Sequence, residues 1–131
     1  MTMSVESKLI ELNRKLLNSI MAGDWAAYAE LCDPSITCFE PEALGHLVHG
    51  LDFHRFYFEL GGAKGTPPQV TICDPHVRVI GDAAILTYIR LTQVVGPNGP
   101  GTSAAEETRV WQKIGDSWKH VHFHRTPVAK T

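Results

Sequence analysis

The stretch QVTICDPHVRVIGDAAILTYIRLTQVVGPNGPGTSAAEETRVWQKIGDSWKHVHFHRT, residues 69–126, decides how this chain folds. It divides into four β-type runs, Gln69 to Ile80, Ala83 to Val94, Ala104 to Ile114 and Ser117 to Thr126, rich in β-branched and aromatic residues. Gly81-Asp82, the loop GPNGPG and Gly115-Asp116 separate them. Short glycine-bearing links of this kind are hairpin connections, so the pattern predicts an antiparallel four-stranded meander.

Upstream of the meander the apolar period changes. Val5, Leu9, Leu12, Leu16 and Ile20 recur at steps of three and four, with Ile10, Leu17 and Met21 widening the stripe, which predicts a long helix from Val5 to Ala22. Gly23 can close it in the left-handed conformation, and Asp24 can cap a second helix, Trp25 to Cys32, ended by Asp33-Pro34. A short β run, Ile36 to Glu40, is followed by a loop and a second short strand within EALGHLVHG. Asp52 then offers a cap for a helix on which Phe53, Phe56, Tyr57 and Leu60 share a face, stopped by Gly61-Gly62 ahead of the flexible connector GGAKGTPP. Helices first and a meander afterwards predict one α+β domain over residues 1–131, with helices packed on one face of a curved sheet.

Composition narrows the function classes. The 131 residues carry 12 basic and 14 acidic side chains, a formal charge of -2, with no long run of either sign, which disfavours nucleic acid or an anionic membrane as partner. Cys32, Cys38 and Cys73 form no CxxC and cannot all pair internally, so reduced thiols and a cytoplasmic location are expected. Glu6, Lys8, Glu11, Arg14 and Lys15 interrupt the first helix, unlike a signal peptide.

Strand alternation singles out Arg125, because Val121, Phe123 and Arg125 share one face while Trp118, His120, His122 and His124 share the other. If the Val121 and Phe123 face is the core face, Arg125 points inward and needs a carboxylate, a wet cavity or an anionic ligand. Arg90 sits mid-strand with Tyr88 and Thr92, and Arg109 shares a face with Glu107 and Trp111. Taken singly, each arginine is explained as a solvated strand residue, or for Arg109 by a contact with Glu107. Three on adjacent hairpin strands are placed to converge on one anion. The face of His120, His122 and His124 has a spacing that metal ligands use, but no cysteine or acid lies beside it in sequence, and neither metal nor cofactor is expected. Glu40, Asp52 and Glu107 are the acids placed nearest the concave side of the sheet, with Tyr57 or Tyr88 as hydrogen-bond donors, yet Asp52 is explained as a helix cap and the tyrosines as core.

Together, FEPEALG, GLDFHRFYFE, YIRLTQ, EETRVW and VHFHR strongly resemble the association, or hub, domain of calcium/calmodulin-dependent protein kinase II, within the nuclear transport factor 2-like superfamily. The resemblance runs in order from the first helix to Thr126. It implies a cone-shaped fold in which a curved antiparallel sheet wraps the N-terminal helix around a cavity. It also implies homodimers that assemble into stacked rings, and a pocket for a small carboxylate or a peptide tail. Carried over by motif, the pocket residues are Arg90 in YIRLT, Arg109 in EETRVW, Arg125 in VHFHR and His54 in DFHRFYF, with Arg55 a lesser candidate. The 131 residues contain no HRD, no DFG and no calmodulin-binding helix, so a free-standing hub without kinase activity is expected. The alternative from the same superfamily is an isomerase or hydratase resembling ketosteroid isomerase or polyketide cyclases, which needs an acid or base deep in an apolar cone.

Overall fold

The computed structural model describes residues 3–61 and 66–129. Helix α1 (Val5–Ala22) starts at Ser4, whose side chain accepts from the Ser7 amide, and stops at Gly23 in the left-handed region at φ 66°. Its apolar stripe buries Leu9, Leu16 and Leu17 completely. Helix α2 (Trp25–Leu31) is capped by Asp24, whose Oδ1 accepts from the Ala27 amide at 3.2 Å. The residue before Pro34 avoids the helical region, and the chain is already extended in β1 (Cys32–Phe39), longer than the expected run from Ile36.

A 3-10 turn at Pro41–Ala43 and the two-residue strand β2 (Val48–His49) lead into α3 (Asp52–Glu59). Asp52 is the first residue of α3 and not its cap; the cap position is Leu51, with no side-chain hydrogen bond. The carboxylate still lies at the positive end of the helix dipole. The face of α3 expected to be apolar and buried is buried only in part, since Phe53 packs against the core and Tyr57 reaches the cavity. His54 turns inward, while Phe56 and Leu60 are 59% and 69% exposed. Of the expected connector, Gly62 to Gly65 lie outside the described residues.

The meander forms as expected: β3 (Gln69–Ile80), β4 (Ala83–Gly96), β5 (Gly99–Ile114) and β6 (Ser117–Pro127) pair antiparallel in sequence order. The GPNGPG loop shrinks to Pro97-Asn98, because Gly96 and Gly99 already pair across the strands. The full sheet has six strands in the order β2-β1-β6-β5-β4-β3. It is not wholly antiparallel, since β1 runs parallel to β6. The crossover that a parallel pair requires is supplied by the chain between the two strands, through β2, α3 and β3 to β5. The sheet is curved and open, and α1 lies against β3 and α2. Leu9, Leu16, Leu17, Tyr28, Ile36, Leu86, Trp111 and Phe123 form the centre of the core between them. No helix among the described residues is long and apolar enough to cross a membrane.

One irregularity reorders the last strand. Val110 pairs with His122 and Trp111 with His120, so Val121 bulges out of register. Simple alternation placed His120 with His122 and His124; the bulge instead brings His120 inside, fully buried, its ring stacked on Phe123 at 5.6 Å between centroids. His122 and His124 remain on the other face, against Phe39. The three histidines therefore do not gather around one point.

Burial, then the charge of Arg109, holds the His120 pKa well below its ordinary 6.5. The folded state thus refuses a proton that the unfolded chain takes up as pH falls through 6.5. Stability from this group is complete above that value and drains below it, by up to about 1.4 kcal/mol for each pH unit until the folded-state pKa is reached. Urea midpoints measured at pH 7.5 and 5.5 should therefore fall for the natural chain and fall less for His120→Phe.

Candidate ligand-binding site

The concave side of the sheet holds a cavity of about 240 Å3, walled on the apolar side by Ile20, Tyr28, Phe58 and Phe123. The polar wall consists of Glu40, Glu42, His54, Tyr57, Arg90, Arg109 and Arg125. Neighbouring strands bring the arginines together: Arg90 comes from the middle of β4, Arg109 from β5 and Arg125 from the end of β6. The rotation of about 100° per residue along α3 turns His54 inward and leaves Arg55 outward. Arg55 pairs with Glu59 at 2.8 Å and lies over the Trp25 ring, away from the cavity.

At the floor lies a buried polar network. Tyr88 donates its hydroxyl to Glu107 Oε1 at 2.5 Å and accepts from Asn13 Nδ2 at 2.9 Å and from Arg109 Nε at 3.0 Å. Trp111 Nε1 donates to Asn13 Oδ1 at 3.0 Å, which ties α1 to the same cluster. Glu107 Oε1 accepts from Arg109 Nε at 3.1 Å and lies 3.1 Å from Arg109 Nη2, while Oε2 faces Arg90 Nη1 at 3.1 Å as an ion pair without a hydrogen bond. Arg109 also stacks on Phe123, its guanidinium 4.3 Å from the ring centre. Burial would raise the Glu107 pKa, but Arg109 and Arg90 outweigh it and hold the group below its ordinary value. Burial would likewise lower Arg109, yet Glu107, Tyr88 and Tyr28 push it above the ordinary arginine value. Arg90 is lowered by burial, which Glu107 only partly offsets.

A second charge cluster forms the rim. Arg125 Nη2 donates to both carboxylate oxygens of Glu42, at 2.6 Å to Oε1, and lies 3.7 Å from Glu40 Oε2. The other Glu40 oxygen is 2.9 Å from His54 Nε2. Burial raises the Glu40 pKa, but His54 and Arg125 reverse this and leave the carboxyl below its ordinary value.

The structure therefore places His54, Arg90, Arg109 and Arg125 around one cavity, and it adds internal carboxylates that balance them. Glu107 was expected as a contact of Arg109, and Glu40 as an acid near the concave side. Glu42 escaped, although it lies in the FEPEALG motif, because only the 3-10 turn folds it back over Arg125. Asp52 does not line the cavity. Two buried donors on this wall, Arg90 Nε and Arg109 Nη1, have no hydrogen-bond partner among the described residues.

Known proteins match this chain in sequence and in fold. The family model of the calcium/calmodulin dependent protein kinase II association domain matches residues 5–129. The chain is 49% identical over 124 residues to the calcium/calmodulin-dependent protein kinase type II subunit delta of Oryctolagus cuniculus, covering 92% of this chain and 23% of that subunit's length. Among solved structures, the calcium/calmodulin-dependent kinase hub homology domain of Chlamydomonas reinhardtii superposes with a TM-score of 0.89 at 50% identity, over 97% of this chain and all of that one. A nuclear transport factor 2-like protein of Salmonella enterica shares the fold alone, with a TM-score of 0.77 at 24% identity over 97% of this chain and 93% of its own. By the span of the family match and the identity of these relatives, the chain belongs to the calcium/calmodulin-dependent protein kinase II association domain family.

Proposed function

We propose that this chain is a self-assembling cytoplasmic hub whose cavity holds a small carboxylate or the carboxylate of a peptide tail between His54, Arg90, Arg109 and Arg125. The observation that carries the reading is the pair of unpartnered buried donors, Arg90 Nε and Arg109 Nη1, on the wall of one cavity. A buried donor without a partner costs about 1–3 kcal/mol, and an entering carboxylate relieves that cost. Guanidiniums suit this task because their planar fork matches a carboxylate.

Self-assembly is supported by family membership and by Phe56 and Leu60, which stand exposed on α3 and just past its end. Homodimers built into a ring would cover such a surface. Multi-angle light scattering on the purified chain at micromolar concentration should report a multimer of many subunits. A strictly monomeric species overturns the assembly.

The enzymatic alternative has one contact in its favour, the Glu40 and His54 pair at 2.9 Å inside the cavity. The carboxylates argue against acid catalysis. An acid that works near neutral pH needs its pKa raised, whereas both Glu40 and Glu107 are lowered by their cationic neighbours.

A further inference from the structure

The sequence draws attention to His120, His122 and His124 as a ligand face, but the fold gathers a different trio. Cys38 Sγ, one Glu40 carboxylate oxygen and one His54 ring nitrogen all lie within 4.8 Å of one another. Cys38 in β1 and Glu40, still extended just past its end, stand two residues apart on one face, and α3 brings His54 to them. We propose that these three side chains form a binding site for zinc or a similar borderline transition metal, with its fourth position open to the cavity.

The spacing carries the proposal. A tetrahedral zinc at its usual distances from sulfur and nitrogen separates the two ligand atoms by about 3.6 Å. Cys38 Sγ and His54 Nε2 are 3.6 Å apart. Nitrogen and oxygen ligands of the same ion stand about 3.3 Å apart, and the His54 Nε2 to Glu40 Oε1 distance is 2.9 Å, so only a few tenths of an ångström must open. The donor set selects the metal: one sulfur, one imidazole and one carboxylate suit zinc or cobalt, whereas magnesium and calcium take oxygen.

The surroundings fit as well. Glu40 and His54 line the 240 Å3 cavity, which leaves a coordination position for water or a solute, as in sites with three protein ligands. Two cations bear on the trio: Arg125, 3.7 Å from Glu40, is paired with Glu42, and Arg109, whose charge acts on Cys38, is paired with Glu107. On loading, the Cys38 thiol gives up its proton, so the local charge rises by one and the open position favours an anion. The site stands on ligand geometry alone and does not depend on the carboxylate reading.

Cobalt is the probe. Chelator-treated, tag-free protein titrated with cobalt(II) should show a near-ultraviolet thiolate-to-cobalt charge-transfer band that saturates at about one ion per chain and disappears when zinc is added. Cys38→Ala should abolish the band and weaken zinc binding at least tenfold, since even residues behind the ligands cost that much. His54→Gln should weaken zinc binding likewise, and Cys73→Ala should leave everything unchanged. Zinc should also raise the melting temperature of the natural chain but not of Cys38→Ala. Absence of the band, its survival in Cys38→Ala, or its loss in Cys73→Ala would each overturn the site.

Discussion

Glu107→Ala is expected to cost the fold about 3–5 kcal/mol, the loss typical of removing one partner from a buried ion pair. The carboxylate sits between Arg109 and Arg90, and Arg109 is only 1% exposed, so solvent cannot take over the vacated position. Tyr88 loses its acceptor in the same step. Urea denaturation at pH 7 should show the drop as a lower midpoint. Replacing Glu107 and Arg109 together with leucine should recover much of it, because the costly element is the orphaned charge and not the absence of the pair. The pH dependence has a definite sign. Since the folded-state pKa of Glu107 lies below the ordinary 4.5, its stabilisation is complete above that value and is lost as pH falls through the depressed one. An unchanged midpoint in Glu107→Ala would mean that the network carries no stability.

These expectations rest on features that differ in how far the sequence reveals them. The meander was legible because hairpin turns and strand alternation are local: Gly81, Gly99 and Gly115 all adopt the positive φ that such turns require. The contact of Arg109 with Glu107 was legible for the same reason, two residues apart on one strand face. The burial of His120 was not, since the bulge at Val121 answers to packing against Trp111 and Phe123 and leaves no local signature. Nor was the parallel pairing of β1 with β6, which joins segments more than eighty residues apart. The apolar side of α3 misled in part, because periodicity reports which side is apolar, not what covers it. Motif resemblance supplied what these patterns lacked for Arg90 and His54, while Glu42 and Cys38 became visible only once the turn and strand around them were placed.

The second large effect concerns ligand binding. Arg125 stands at the rim, held by Glu42 and near Glu40, so an incoming carboxylate must displace an internal one. Arg125→Ala removes a charged hydrogen-bonding partner worth about 1.5–3 kcal/mol, a weakening of roughly ten- to 150-fold. Glu42→Gln should act in the opposite direction. It keeps the shape of the side chain but removes the competing charge, and a partly exposed pair of this kind is worth up to about 1 kcal/mol, or about fivefold tighter binding. Arg109→Ala is a poor probe of binding because the fold itself depends on that side chain.

Isothermal titration of the natural chain, Arg125→Ala and Glu42→Gln with butyrate reads out the pocket itself. Saturable binding at about one site per chain is expected, weakened in Arg125→Ala and strengthened in Glu42→Gln. No saturable binding to the natural chain, or three superimposable isotherms, would contradict it.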